Sequence, residues 1–486
     1  MLSSNHIRTK VAMPYGKIIF LITWCLGIIS TSFAANATPV QTVIPLSEMS
    51  RVVLDGRDKL TQDMMPLRTG QNTIYVIRTY IILEKNVTIP ENCVLMFDGG
   101  TIGGNGTLVG QNTYLYGLLL NVFGKDIKLT GEWNLKGLSP DWFMGSDIEK
   151  VQKAFDVSIA NRSTQITIDR TYNLTGGTIY IERGSHSRDE ISQWSRRNLV
   201  VSGIGEGRLI KEDAGFMFSA NALSIDYEFT NLHFRGNIKN TNDLRTITDM
   251  YVFDCRYLSN IRVSNSSFCH CGCVYYQSGG VETPMVGVLS IGNQYMKNKS
   301  VMRANECWHS QFIGDAIDDG ITFIEGEKTS SNIRDLKIAN CCVEGFYHEN
   351  TAAISLNCNA SGLSITDNYF EANFCSIKMP RYVSGNITGN AFHSRGSYIK
   401  KNRELHCIEL ARLKGIDITA NNVVVDDDKM CLFFFDTSSP YYAKSQILVG
   451  SNAVEGKTKL TNIKGKVKDI HSVIKELLLI HNVNNE

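Results

Sequence analysis

Helical periodicity is almost absent from this chain. From about residue 74 onward, short β-branched and aromatic runs alternate with polar residues and are punctuated by Gly and Asn, the period-2 pattern of strands. One unit recurs: an alternating strand, an Asn, one or two variable residues and a hydrophobe. It is centred on Asn231, Asn265, Asn293, Asn340, Asn368, Asn390, Asn421 and Asn452, at intervals of 34, 28, 47, 28, 22, 31 and 31 residues. The longest interval splits at Ser310-Gln311-Phe312, which lacks the Asn. Strand-built repeats of this length with inserts of variable size predict a solenoid, in which each coil buries one face inward and stacks on its neighbours. Successive coils then pair in parallel about 4.8 Å apart. An Asn at one corner of every coil tolerates the turn backbone, and its amide bonds to the Asn above and below.

A second register follows each corner. Val274-Tyr275-Tyr276, Ile321-Thr322-Phe323, Ile354-Ser355-Leu356, Ile377-Lys378-Met379, Ile408-Glu409-Leu410 and Phe433-Phe434-Phe435 are read as in-out-in. Their middle residues, Tyr275, Thr322, Ser355, Lys378, Glu409 and Phe434, are expected to line one outward column. The open ends of a solenoid need covers. Ser146-Asp147-Ile148-Glu149 is a capping box opening a helix over 146–160, and Ile470, Val473, Ile474, Leu477 and Leu478 form an amphipathic stripe over 466–486. The expected fold class is therefore all-β: a single-stranded right-handed parallel β-helix with short capping helices. A strand-rich region over 36–145 opens it, and the main helix runs over 161–465.

Residues 1–35 are built like a secretory signal. His6, Arg8, Lys10 and Lys17 precede an apolar run from Ile18 to Ile29, and small residues follow near Ala34–Ala37. The run is too short to span a bilayer, so no membrane span is expected after cleavage. The expected location is secreted, periplasmic or on the cell surface. Lys+Arg number 49 and Asp+Glu 48, a net charge of +1, which removes any global drive toward nucleic acid. Of thirteen cysteines, Cys25 falls in the leader. Cys269-His270-Cys271-Gly272-Cys273 has the residue types of a zinc site, but thiols alternating along a strand are too far apart for one tetrahedral ion. Buried thiols or a local disulfide are the expectation there and at Cys341-Cys342.

Two segments outside the repeats add a resemblance. Thr88-Ile89-Pro90-Glu91-Asn92-Cys93-Val94-Leu95-Met96-Phe97-Asp98-Gly99-Gly100-Thr101-Ile102, continued by Gly104-Asn105-Gly106-Thr107-Leu108-Val109-Gly110, and Asp141-Trp142-Phe143 with the helix after it, resemble the opening of secreted parallel β-helix proteins of the pectate lyase-like superfamily. That resemblance covers roughly residues 74–456. It implies a polysaccharide partner and either lyase or polygalacturonase-like hydrolase activity, although a superfold does not fix chemistry.

The resemblance also suggests residues. Asp318-Asp319-Gly320-Ile321, His348 one coil on and Ile377-Lys378 a further coil on follow the order of the polygalacturonase-type Asp-Asp-X-Ile, His and Arg-Ile-Lys motifs. Paired carboxylates would supply acid and base, and Lys378 would hold an acidic sugar. The preceding Asn-Thr-Asp has no counterpart near Tyr275-Tyr276-Gln277, and Ser376 stands where the Arg belongs. A solvated turn at Asp318-Asp319 is the competing reading. An elimination reading uses Lys378, Arg381, Arg412, Glu371 and Glu409, with the substrate carboxylate neutralised by Arg or by calcium held by Asp315, Asp318, Asp319 or Glu325, although no calcium-ligand loop of recognisable spacing is present. For the Lys378–Glu409 pair the alternative is an ordinary surface ion pair. Asn357, Arg381, Arg412, Tyr275 and Phe434 are the substrate-binding candidates, with Trp308, Tyr347 and Tyr382 as flanking rings. The function expected from sequence is cleavage of an acidic, uronate-containing glycan. A non-catalytic carbohydrate-binding or surface β-helix is the alternative.

Overall fold

The computed structural model describes residues 45–54, 58–135, 137–161, 165–182, 199–277, 285–326, 332–348, 351–394, 405–425, 430–436, 447–450, 453–455 and 459–464. The leader, Asn452 and the 466–486 stripe lie outside these residues. Residues 45–50 carry one 3-10 turn, Leu46–Glu48, and a second, far larger unit begins at Arg51.

In that larger unit, strands of successive coils pair in parallel throughout, giving a parallel β-helix. Among the described residues, a wide sheet has 23 strands and a narrow sheet has 11 short ones. Each narrow-sheet strand is about three residues long. Its middle residue points inward, so Tyr172, Leu209, Phe234, Phe268, Tyr295, Ile317, Val343, Phe370 and Phe392 form one buried column in register. Its rings stack like with like: Phe234–Phe268 centroids lie 4.7 Å apart, Phe268–Tyr295 4.9 Å and Phe370–Phe392 5.0 Å, the offset contact that aromatic quadrupoles favour.

The corner before the narrow sheet corrects one expectation. The asparagines do not occupy one column but two adjacent ones. Asn231, Asn265 and Asn340 sit at positive φ (55°, 49° and 56°), in line with Gly292, Gly314, Asp367, Gly389 and Ala420. The next residue turns inward, and that second column holds Asn293, Asp315, Asn368, Asn390 and Asn421, all buried. There Oδ1 of Asn293, Asn368, Asn390 and Asn421 accepts a backbone N–H from the coil before, at 2.9–3.0 Å. Each Nδ2 donates to a carbonyl of a preceding coil. A left-handed corner takes one N–H and one C=O out of the sheet ladder, and a single amide satisfies both. Asn and Gly alternate along the chain because the two adjacent positions make different demands. The coil lacking an Asn exists, with Asp315 at the ladder position.

The N-terminal strands stack in the same way, Thr73–Ile77 on Val94–Phe97 on Thr107–Gly117. Gly104 turns at φ 99°, and a Cβ there would meet the Leu83 carbonyl oxygen at 2.3 Å, so the glycine of this segment is a packing requirement. An α-helix spans Asp147–Asn161. Its capping box is closed: Ser146 N–H donates to Glu149 Oε2 at 2.9 Å and Glu149 N–H to Ser146 Oγ at 3.3 Å. Val151, Ala154, Phe155, Val157 and Ser158 form its buried face, and the Phe155 ring meets Phe218 of the wide sheet at 5.6 Å.

Candidate functional site

Strand parity puts the third residue of each narrow-sheet strand on the outer side, which stacks Met296, Asp318, Glu344, Glu371 and His393 in one column, with Glu371 buried within it. Three carboxyl groups on successive coils follow with no Lys or Arg among them. Glu344 Oε1 accepts from Cys342 Sγ at 2.8 Å, and Glu371 Oε2 from Tyr369 Oη at 2.8 Å, with Tyr369 Oη also 3.1 Å from His393 Nδ1. Partial burial, then the neighbouring charges of Asp319 and Glu344, raise the Asp318 carboxyl above its ordinary range; Lys297 on the coil before works against this. The Cys342 thiol, desolvated and bonded to Glu344, is pushed up to about 12 and stays protonated.

Asp319 is the next corner. Its φ is 51°, in line with His270, Lys297, Gly345 and Ala372, so the turn reading applies to Asp319 while Asp318 faces outward from the strand. The same Asn device returns here: Cys271 N–H donates to Asn298 Oδ1 at 2.8 Å and Phe346 N–H to Asn373 Oδ1 at 3.0 Å. On the coil of Glu344 this corner is longer and carries His348, whose Nε2 is buried without a hydrogen-bond partner among the described residues. Burial and Arg245 lower the His348 pKa, opposed by Asp243 and Asp319. Asp243 and Arg245, a paired couple at 2.8 Å on the 236–249 stretch, act electrostatically on His348. Asp318, Asp319 and His348 are therefore brought together. Glu344 and His393 were missed in the sequence as members of this column, and Tyr369 as the hydrogen-bond partner of Glu371 beside it; the signal was the outward parity of each three-residue strand.

Lys378 and Glu409 lie elsewhere, on the wide sheet, and this corrects their grouping with Asp318. Strand parity there separates an inner column, Tyr275, Met302, Ile324, Ile354, Ile377 and Ile408, from an outer one, Tyr276, Arg303, Glu325, Ser355, Lys378 and Glu409. Ser355, Lys378 and Glu409 face outward as expected. Tyr275 and Thr322 do not. Tyr275 is fully buried, its hydroxyl 3.2 Å from that of Tyr295, and desolvation raises its pKa far above the usual tyrosine range. Thr322 is buried opposite Ser300. Consecutive buried residues, Cys273-Val274-Tyr275 and Phe323-Ile324, break the alternation next to the corner, so Tyr276 and Glu325 hold the outward places. Lys378 Nζ meets Glu409 Oε2 at 3.0 Å, with 41% and 19% of the side chains exposed, the geometry of a surface ion pair. Phe434 and Arg412 hold backbone register with Glu409 and Tyr382; their side chains lie outside the described residues.

Beside Lys378, Asn332, Asn359, Ser361, Tyr382 and Ser384 line a cleft of about 550 Å³. Arg381 precedes Tyr382 on the same strand. Asn357 is exposed two residues before Asn359, its N–H bonded to the Gly326 carbonyl at 2.9 Å. Trp308 lies under the Arg334 guanidinium at 5.1 Å, and exposed Tyr347 stacks on His348 at 5.6 Å.

The calcium set does not assemble. Asp315 is an interior ladder residue, accepting from Ser290 Oγ and Asn293 N at 2.7 Å, and Glu325 is bonded to Arg303 at 2.8 Å on the other sheet. Among the described residues no three His, Cys, Asp or Glu groups converge as metal ligands. Cys271 and Cys273 are buried free thiols, Cys269 a half-buried one; burial raises the pKa of all three, that of Cys273 to about 12. No described helix is long and apolar enough to cross a membrane.

No family model and no curated protein matches the chain. Among solved structures, it is similar to the tailspike protein of Acinetobacter baumannii phage AM24, at 12% identity over 68% of this chain and 55% of that one, with a TM-score of 0.41. This chain thus spans about half the length of that tailspike. It is also similar to the tailspike receptor binding domain of Siphovirus 9NA, at 10% identity over 86% of this chain and 76% of that one, with a TM-score of 0.18. At such identities no residue of either carries over to this chain.

Proposed function

We propose that this β-helix hydrolyses glycosidic bonds of a polysaccharide at the acidic corner, with Asp318 as proton donor and Glu344 as the second carboxyl. The observation that supports this reading is the register of Asp318, Glu344 and Glu371 on consecutive coils, together with the raised pKa of Asp318. A carboxyl whose pKa is raised, next to a second carboxyl, is the arrangement that glycoside cleavage needs. Neighbouring strands are about 4.8 Å apart, close to the roughly 5–5.5 Å between the carboxyls of retaining enzymes. Asp318 would protonate the leaving oxygen while Glu344 bonds to the anomeric carbon. Water, deprotonated by Asp318, would then release the sugar and restore both groups. Elimination from a uronate is the weaker reading. Lys378 is paired with Glu409 on another face, and the acidic column repels a carboxylated polymer. The reading includes export and kinship with the pectate lyase-like superfamily, on the leader pattern and Thr88–Gly110.

The test incubates the full chain with neutral and uronate polymers, following reducing ends, ultraviolet absorbance of unsaturated product and the anomer first released. Reducing ends from a neutral polymer with retained configuration are expected. Inversion would move the second role to Glu371, and unsaturated product would remove the hydrolytic mechanism. Silence on every polymer favours the binding-only reading, which the polar cleft around Tyr382 supports.

A further inference from the structure

Phe216, Tyr251 and Tyr276 come from three successive coils of the wide sheet, on strands Gly215–Ser219, Met250–Asp254 and Cys273–Gln277. Their half-exposed rings touch one another. Tyr251 and Tyr276 stack with centroids 4.3 Å apart and planes 18° from parallel, and Phe216 lies 5.3 Å from Tyr251 and 5.7 Å from Tyr276. The core does not require them. Directly behind, Phe218, Phe253 and Tyr275 already fill the interior as a stacked, fully buried column, at 5.8 and 5.6 Å. These three rings form a second, half-exposed aromatic cluster in which Tyr251 and Tyr276 cover one face of each other and Arg256 lies over Phe216; the ring surface left in water carries a hydration cost that a bound apolar face would relieve.

The charges around this layer identify the occupant. Arg256 lies 4.8 Å above the Phe216 ring and is paired with Asp254 at 2.7 Å. Arg303, which follows Tyr276 in the outer column, is paired with Glu325 at 2.8 Å, and Lys299 with Asp249 at 2.8 Å. Among the described residues each of these bordering cations has a carboxylate, and the described rim offers hydrogen-bond donors and acceptors without net charge. A nucleic acid or a polyuronate gains its affinity from uncompensated cations, which this rim does not supply. A pyranose ring has an apolar C–H face to lay on an aromatic ring and a circumference of hydroxyls to bond with guanidinium and carboxylate groups.

We propose that Phe216, Tyr251 and Tyr276 form a stacking platform for an uncharged, pyranose-based polysaccharide. The platform shares with the hydrolase reading only the chemical class of its ligand. It lies on the wide sheet, and binding there needs none of the acidic corner.

The experiment is affinity gel electrophoresis of the full chain carrying Asp318→Asn, with galactomannan, hydroxyethylcellulose and arabinoxylan as neutral probes, and polygalacturonate and alginate as acidic ones. Retardation by at least one neutral polymer and by neither acidic one is expected. Tyr251→Ala with Tyr276→Ala is expected to weaken that retardation at least tenfold, with Tyr276→Phe retaining it, since the face and not the hydroxyl is used. Thermal unfolding monitors each variant, and Tyr276→Ala alone replaces the double variant should the latter unfold early. Binding unchanged in the alanine variants, binding of acidic polymers only, or no binding by the parent overturns the proposal. So does a dimer in sedimentation that Tyr251→Ala dissociates, which would assign the rings to a second copy of the chain. Absence of cleavage by the chain with Asp318 in place, with platform binding intact, overturns the hydrolase reading alone.

Discussion

The narrow sheet and the wide sheet each stack side chains outward at one strand spacing, and they use that spacing in opposite ways. On the wide sheet Arg303 meets Glu325 at 2.8 Å and Lys378 meets Glu409 at 3.0 Å. Opposite charges on neighbouring strands neutralise one another, and half-exposed pairs of this kind contribute little to stability. On the narrow sheet Asp318, Glu344 and Glu371 put like on like. Partial burial and then repulsion raise the pKa of one of these carboxyls, Asp318, above its usual range. Identical backbone geometry therefore yields paired opposite charges in one place and a row of like charges in the other. The sign of the neighbour makes the difference.

The comparison breaks most sharply in activity. Asp318→Asn is expected to lower reducing-end release about 10²–10⁴-fold, the usual contribution of a general acid, with thermal unfolding unchanged. Lys378→Ala should change it less than twofold, and an equal loss in both would erase the distinction between the faces. Because Asp318 acts protonated, the rate should fall as pH rises through its raised pKa.

A smaller effect lies behind the acidic column, at Asp315. Desolvation raises its pKa to about 6, against hydrogen bonds from Asn293 and Ser290. The titratable neighbours Tyr275, Tyr295 and Cys341 are uncharged at neutral pH, with pKa values raised by burial. A folded pKa above the unfolded one means that the native state holds the proton more tightly. This group's contribution is thus full below about pH 4 and is lost as pH rises to about 6. Asp315→Asn, which restores the amide found at Asn293, Asn368 and Asn390, is expected to raise stability at pH 7 by about 1–3 kcal/mol. It should also flatten the pH dependence of denaturant unfolding between those limits. A less stable Asn variant would show that the carboxylate is well solvated in place.

The smallest effect belongs to the wide sheet. A double-mutant cycle of Lys378→Met and Glu409→Gln, read by denaturant unfolding, should return a coupling of about 0–1 kcal/mol. A coupling several times larger would make this pair more than a surface contact.

Much of this architecture was legible in the chain itself. Strand alternation, repeat length and recurrent Asn and Gly all describe one coil and its corner, and local chemistry largely determines a coil: a left-handed turn favours Gly, Asn or Asp, and an inward strand position favours a hydrophobe. Ser355, Lys378 and Glu409 could be placed outward for the same reason. Tyr275 and Thr322 were misplaced because runs of two or three buried residues next to a corner obscure the parity that period-2 reading depends on. The division of the asparagines into a turn column and a ladder column was also hidden, since one residue type serves both.

What the sequence alone determined is the coil, its period and the residues that can turn it. Which coil lies beside which residue, and in what register, was decided only in the folded solenoid. Asp318, Glu344 and Glu371 are 26 and 27 residues apart along the chain and become neighbours only through backbone pairing. Asp243 and Arg245 reach His348 from about 100 residues away, through an insertion whose path no local preference specifies. Charge acts through space, so the groups that tune one another are those the register brings together.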